Sequence, residues 1–193
     1  MNLKLLGIFM VLGLMASVSL KAQDEPEPPP KKGFDKEKLF FGGNFGLSFG
    51  DYTLINISPQ IGYRFNRYLA AGAGLNFIYS SIRYRYYPST DDYRNSYGVA
   101  GINIFGRVYP IDYVFLQLQP EMNYTWGKVK FYDGTPDAKL PAKIVPSLLG
   151  GAGGAIPAGR GAFIVMVEYD LLQNDRSPYG TRAFFNFGYN IGF

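Results

Sequence analysis

The chain has 193 residues, enough for one domain, with 24 Gly, 16 Tyr and 16 Phe against only 18% charged residues. It holds no Cys and no His, which excludes disulfides, thiolate zinc sites and lipid-modified cysteine and removes the commonest general base and metal ligand. The formal charge is +4, but taking Lys4 and Lys21 out with an expected signal segment leaves 17 of the 19 basic residues against 15 acidic ones, too even a balance for a nucleic-acid binder.

In chain order, residues 1–22 read as a secretory signal peptide. Lys4 gives a positive start, Leu5 to Val18 is an apolar run of signal length, and Ala22 precedes a cut at Gln23. Cleavage after Ser19 is the fallback, because Leu20 sits where a small residue is preferred. The run is short for a membrane-spanning helix. Residues 23–38 (D-E-P-E-P-P-P-K-K-G within them) are polar and Pro-rich, and predict a flexible periplasmic tail.

From residue 39 to 193 the sequence predicts eight strands. Phe41, Phe45, Leu47 and Phe49 alternate with Gly42, Asn44, Gly46 and Ser48 in the first, about Leu39 to Gly50. The second, about Leu54 to Phe65, sets Ile55, Ile57, Ile61 and Tyr63 against Asn56, Ser58, Gln60 and Arg64. The third runs from about Tyr68 to Tyr86 and the fourth, with poorer alternation, from about Ser96 to Tyr109. The fifth, about Tyr113 to Lys130, is the clearest: Leu116, Leu118, Met122, Tyr124 and Trp126 oppose Gln117, Gln119, Glu121, Asn123 and Thr125. The sixth, Lys143 to Ile156, is glycine-laden and its facing stays open. The seventh, Ala162 to Leu172, places Glu168 and Asp170 opposite Phe163, Val165 and Val167.

The eighth, Arg182 to Phe193, puts Phe185, Phe187, Tyr189, Ile191 and Phe193 on one face and Asn186, Gly188, Asn190 and Gly192 on the other. Such an edge must be closed and its apolar face covered. Short connections at Asn66–Arg67, Pro110–Asp112 and Pro157–Gly161 alternate with longer polar ones at Tyr87–Asn95, Phe131–Pro141 and Gln173–Thr181, and only the first of that second set, Asp51–Thr53, is short. That pattern predicts an all-β fold, an eight-stranded antiparallel up-and-down transmembrane β-barrel. A soluble lipocalin-like ligand binder alternates too, but its outer polar face is dense in Lys and Glu, whereas here the polar face is Gly, Asn, Ser, Gln and Thr. Pro59, Pro120 and Pro146 interrupt strands and are expected near strand ends or bulges.

The terminal F-G-Y-N-I-G-F carries a resemblance. The region from about Leu39 to Phe193 resembles the small eight-stranded outer-membrane β-barrel family of Gram-negative bacteria, including the OmpX-like and OmpA-type barrels. In that family Tyr189, Ile191 and Phe193 would form the C-terminal signal read by the barrel-assembly machinery. The Lys-Ala-Gln end of the leader, I-F-G-R-V-Y-P and V-E-Y-D-L-L-Q…S-P-Y-G are similar to barrels common in the Bacteroidetes. The resemblance implies location in the outer membrane with both termini periplasmic, outer-membrane lipid and the assembly machinery as partners, and a non-enzymatic, porin-like membrane protein. Its external loops would contact surfaces or partner proteins. A narrow solute pore and a secretion-accessory role are the alternatives.

Lumen charges are the candidate site. Arg64, Arg107, Glu121, Glu168, Asp170 and Arg182 fall on inner faces, with Lys128 beside them. They are expected either to form an ion-pair network around Arg107, Glu121 and Glu168 that plugs the lumen, or to lie apart and hydrated. No catalytic residue, cofactor or metal site is read. Gly150–Gly154 lacks the Lys-Ser/Thr of a phosphate loop and reads as a place where the wall bends or is approached closely. Asp91, Asp92, Asp133 and Asp137 match no calcium loop and read as solvated turn residues. Tyr79, Tyr84, Tyr86, Tyr87, Tyr113, Tyr124, Trp126, Tyr169 and Tyr189 are expected as interfacial girdles.

Overall fold

The computed structural model describes residues 35–49, 52–84 and 92–192; residues 1–22 expected as a signal peptide, most of the expected tail, Tyr86, Tyr87, Asp91 and Phe193 lie outside them. Eight strands follow one another: β1 (Leu39–Ser48), β2 (Tyr52–Arg64), β3 (Leu69–Tyr84), β4 (Tyr93–Ile111), β5 (Val114–Phe131), β6 (Ala138–Ala158), β7 (Gly161–Asp170) and β8 (Phe184–Ile191). Each pairs antiparallel with the next, and β8 returns to β1 through Phe41↔Ile191 to Asn44↔Gly188, so the barrel is closed. Closure leaves no sheet edge between the first and last strands, as the terminal alternation required.

The compact unit begins at Asp35, four residues before the expected boundary at Leu39. Lys36–Lys38 form a 3-10 turn capped by Asp35, whose side chain accepts from the Glu37 N–H at 3.0 Å. Lys38 Nζ donates to the Phe65 carbonyl at 3.2 Å, tying this turn to the end of β2. The last residues assigned to the tail therefore belong to the barrel.

The strands between the longer connections outrun their predictions. β4 starts at Tyr93, and β6 starts at Ala138, inside the stretch read as a loop. Cross-strand aromatics account for part of this: Tyr84 stacks on Tyr93 with centroids 4.9 Å apart, and Tyr93 lies 6.2 Å from Phe131, stapling the far ends of β3, β4 and β5. β7, in contrast, pairs with β6 only from Leu149 onward. The wall is thus tall over β3–β6 and low over β7, β8 and β1. Residues 171–183 cross the low side as a folded loop.

The prolines depart from expectation in position but not in logic. Pro59 pairs with Gly43 of β1, yet the β2–β3 ladder skips it between Ile57↔Phe77 and Gln60↔Gly74. Pro120 meets a similar gap on the β4 side, between Asn103↔Glu121 and Gly106↔Leu118. Pro146 pairs with Met122 on the part of β6 that has no β7 partner. Each lies mid-strand where one neighbouring ladder is interrupted or has ended, so a missing N–H costs little. The register shifts fall instead around Pro110, between Val108 and Ile111, and around Pro141, opposite Thr125 and Gly127.

Alternation sorts the two faces of the wall. Phe45, Ile57, Phe77, Ile102, Met122, Ile144, Phe163 and Phe187, one from each strand in turn, are among the large apolar side chains that point outward and are exposed. Inward, the lumen is layered. At the short-turn end Phe40, Ala70, Phe105, Tyr109, Phe115, Ala155, Ala162, Ile164 and Met166 pack into an apolar floor. Above it lies a polar layer of Asn, Gln, Ser and carboxylate side chains. The open facing of β6 resolves here: Val145, Ser147 and Leu149 point in, while Ile144 and Ile156 point out. Its inner glycines make room for the side chains paired with them on the neighbouring strands. A Cβ at Gly153 would stand 2.8 Å from the Phe115 ring, and one at Gly151 2.8 Å from Glu168 Cγ.

Candidate functional site

Arg107 stands on the floor. It projects from β4 near the β4–β5 turn, is 3% exposed, and its guanidinium carbon lies 4.7 Å from the Phe105 ring centroid and 4.8 Å from that of Phe115. Rings on both flanks offer their negative faces to the cation. Its N–H groups go to amide oxygens: Nε donates to Gln117 Oε1 at 2.6 Å and Nη2 to Gln60 Oε1 at 3.3 Å. In the Asn190 orientation that satisfies both ends, the amide oxygen accepts from Nη1 at 3.1 Å.

From Arg107 a chain of amides climbs β5. Gln117 Nε2 donates to Gln119 Oε1 at 2.7 Å and to Glu168 Oε1 at 3.3 Å. Gln119 Nε2 donates to Glu121 Oε1 at 2.7 Å, and Asn123 Nδ2 to Glu121 Oε2 at 2.9 Å. Asn76 Nδ2 reaches Asn123 Oδ1 at 3.3 Å and Asn103 Nδ2 reaches Asn76 Oδ1 at 2.6 Å, which carries the chain across β3 and β4. From β8, Asn186 Nδ2 donates to Glu168 Oε2 at 2.8 Å. Residues two apart on one strand share a face, and this is why Gln117, Gln119, Glu121 and Asn123 form one continuous column.

This corrects the expected ion-pair network. Arg107, Glu121, Glu168 and Asp170 do share the lumen, all at most 3% exposed. Among the described residues, however, no direct ion pair joins Arg107 to any of these carboxylates; amides stand between the charges. The reason is geometric. The aromatic floor holds the guanidinium low, and the carboxylates sit one or more strand steps higher, within reach of Gln and Asn but not of Arg. The Arg64 guanidinium lies 4.6 Å from the Tyr109 ring centroid. Arg182 is exposed on the β7–β8 loop and leaves the lumen set. Lys128 leaves it as well: half exposed, it pairs with Asp137 at 2.7 Å by the β5–β6 connection.

Asp170 closes β7 rather than pairing with a cation. Its Oδ1 accepts from the Leu148 and Leu172 N–H groups, both at 3.1 Å, and its Oδ2 from the Ser177 hydroxyl at 2.6 Å. The loop that follows is held over the mouth. Arg176 Nη2 donates to the Pro141 carbonyl at 2.7 Å, and the Tyr97 hydroxyl donates to the Arg176 carbonyl at 3.0 Å. Tyr179 turns down into the lumen, donates to Glu121 Oε2 at 2.6 Å, and stacks on Phe184 with centroids 4.9 Å apart. Burial first, and then the Glu121 carboxylate, push the Tyr179 phenol well above its ordinary range. Under this loop lies a cavity of about 280 Å³ bounded by Asn44, Asn56, Ser58, Glu121 and Phe184 among others.

The predicted assembly residues divide. The Tyr189 hydroxyl donates to the Ala158 carbonyl at 2.8 Å and its ring meets Phe163 edge-on at 5.0 Å, while Ile191 points outward. Asp92 accepts from Arg83 Nε at 3.2 Å, joining the end of β3 to the start of β4, and Asp133 accepts from the Thr135 N–H and hydroxyl within its own turn. Among the described residues no three acidic side chains converge as a metal would need. Tyr179 and the bridging roles of Gln60, Asn76 and Asn186 escaped the sequence. Period two marked the amides as inner-face residues, and no pattern in S-P-Y-G marked a tyrosine reaching into a barrel.

Fold and site together define an all-β class: a closed eight-stranded antiparallel barrel, apolar outside, with an apolar floor and a polar, hydrogen-bonded interior. The chain matches no family model, no curated protein and no solved structure.

Proposed function

We propose that this is an integral outer-membrane β-barrel, non-enzymatic, with a plugged lumen, both termini periplasmic, and external loops that contact surfaces or partner proteins. One observation carries the reading. Large apolar side chains are exposed on the outer face of all eight strands, while buried carboxylates and amides fill the inside. That is the reverse of a soluble lipocalin-like barrel, whose apolar face encloses the ligand. In water such a belt invites aggregation; in lipid it is the required surface.

Two further features favour the same reading. Aromatic side chains gather toward both ends of the outer face. Tyr113 and the Tyr63–Phe65 pair lie by the short turns, and Tyr79, Tyr84 and the Tyr124–Trp126 pair lie toward the longer connections. Tyr169 and Tyr189 are half-buried in the same surface. The longer connections also share one end, as external loops would. The resemblance to OmpX-like and OmpA-type barrels adds the assembly machinery as a biogenesis partner, read through Tyr189, Ile191 and Phe193. The narrow-pore alternative is disfavoured by the floor of Phe40, Phe105 and Phe115 beneath Arg107. A secretion-accessory role would show as blocked export of other proteins on deletion.

The test is cell fractionation followed by gel mobility of boiled against unboiled samples. Recovery in the outer-membrane fraction with a heat-dependent shift is the expected result. Recovery in a soluble fraction without detergent would overturn the membrane reading.

A further inference from the structure

The cavity under the β7–β8 loop carries open hydrogen-bonding capacity. Asn44, on β1, is 8% exposed, lines the cavity, and makes no side-chain hydrogen bond among the described residues. Glu121 uses three of its roughly four acceptor positions, on Gln119, Asn123 and Tyr179. Asn186 spends its N–H on Glu168, which leaves its carbonyl oxygen open, and Ser58 donates to Asn56 Oδ1 at 2.9 Å, which leaves its lone pairs open. The Asn44 amide and Asn56 Nδ2 leave N–H groups open as well, so donors and acceptors are both available, and the charged acceptor among them is Glu121.

Charge points the same way. Glu121, Glu168 and Asp170 bring three buried carboxylates into the lumen, and Arg107, held down by Gln60 and Gln117, is the buried cation facing them. No Lys or Arg lines the cavity. Glu121 meets no cation within the cavity itself, and an anionic ligand there would add to the cost of its buried charge. The rings of Phe184 and Tyr179 form part of the wall, a surface that suits an ammonium group. The volume, about 280 Å³, falls just below the range for small-molecule sites, about 300–1,000 Å³, and suits a small group.

We propose that this cavity is a binding site for a small primary ammonium group, with Glu121 as counter-ion, Asn44 and Ser58 as hydrogen-bond acceptors, and the Tyr179–Phe184 pair as the aromatic wall. A free amine and the lysine side chain of a peptide carry the same group. The site belongs to the lumen and exists whether or not the outer face meets lipid.

The experiment titrates propylammonium chloride into the folded full-length protein, followed by calorimetry and by the side-chain amide resonance of Asn44. Glucose and propionate serve as neutral and anionic controls, and N-acetyl-lysine amide distinguishes the peptide source from the free amine. Saturable binding of either ammonium probe, with a shift at Asn44 and none from the controls, is the expected result. Glu121→Gln weakens it about tenfold or more. Asn44→Ala breaks no existing hydrogen bond, so it folds normally, as the heat-dependent gel shift reports, and also binds more weakly. Absence of saturable binding by both ammonium probes, binding of glucose or propionate in their place, or unchanged affinity in a folded Asn44→Ala variant overturns the proposal. Failure of the membrane reading leaves the titration readable, because it is then run without detergent.

Discussion

The Tyr179 hydroxyl donates to Glu121 Oε2 at 2.6 Å, joining a loop residue to a lumen carboxylate 58 positions earlier in the chain. A short bond to a charged acceptor is of the strong kind, and this one decides where residues 171–183 rest. Tyr179→Phe keeps the ring on Phe184 and removes only the donor. The expected cost is about 1.5–3 kcal/mol, read as a lower urea midpoint. Faster tryptic cleavage at Arg176 and Arg182 in the folded protein would accompany it, because the loop loses its hold on the barrel. A loop equally resistant to trypsin in the variant would refute the role given to this bond.

The same phenol makes stability depend on alkaline pH. Its folded pKa is raised, so the neutral form is the one the folded state keeps. Below the unfolded value of about 10 this contribution is fully present; as pH climbs above it toward the folded value, the unfolded chain loses the proton first and stability falls. Denaturant midpoints measured from pH 8 to 11 should stay level and then drop, and Tyr179→Phe should flatten part of the drop.

Arg107 sets the charge balance of the lumen. Arg107→Met retains a flexible apolar group between Phe105 and Phe115 but leaves Glu121 and Glu168 facing each other through Gln117 and Gln119 without a buried cation. The expected cost is about 3–5 kcal/mol. Arg182→Met, on an exposed loop position, should stay within about 0.5 kcal/mol. Trp126, the single tryptophan, lies on the outer face and reports unfolding for both. Equal costs for the two variants would remove Arg107 from the network.

The outer face offers a direct check on its solvent. Ile104 is 62% exposed and lies between the two aromatic ends of β4 and β5. Arginine there would cost about 2–4 kcal/mol in a bilayer, depending on depth, whereas on a water-facing surface it would be near neutral. Reversible unfolding in lipid vesicles separates the two outcomes.

Conductance follows from the layered interior. In planar bilayers the protein should show no long-lived open channels, because Phe40, Phe105 and Phe115 pack under Arg107 across the short-turn end. Replacing both Arg107 and Phe115 with Ala removes the centre of that floor and should raise conductance. Many open channels from the unaltered protein would show that the floor does not seal.

What the sequence determined by itself was local. Eight alternating segments, which side of each is apolar, and the need to join the last strand to the first all follow from a period of two between neighbours such as Phe185 and Asn186. The inner-face position of Glu121, Glu168 and Arg107 follows from the same count. Their partners did not, because a hydrogen bond across a lumen depends on the register of several strands at once. Asn76 meets Asn123 across 47 residues, and Gln117 meets Glu168 across 51. One residue of slip in any intervening ladder would turn those side chains to the other face. Only the closed structure could therefore show that amides separate the charges, that Gly151 and Gly153 yield space to Glu168 and Phe115, and that a tyrosine from an outer loop completes the interior.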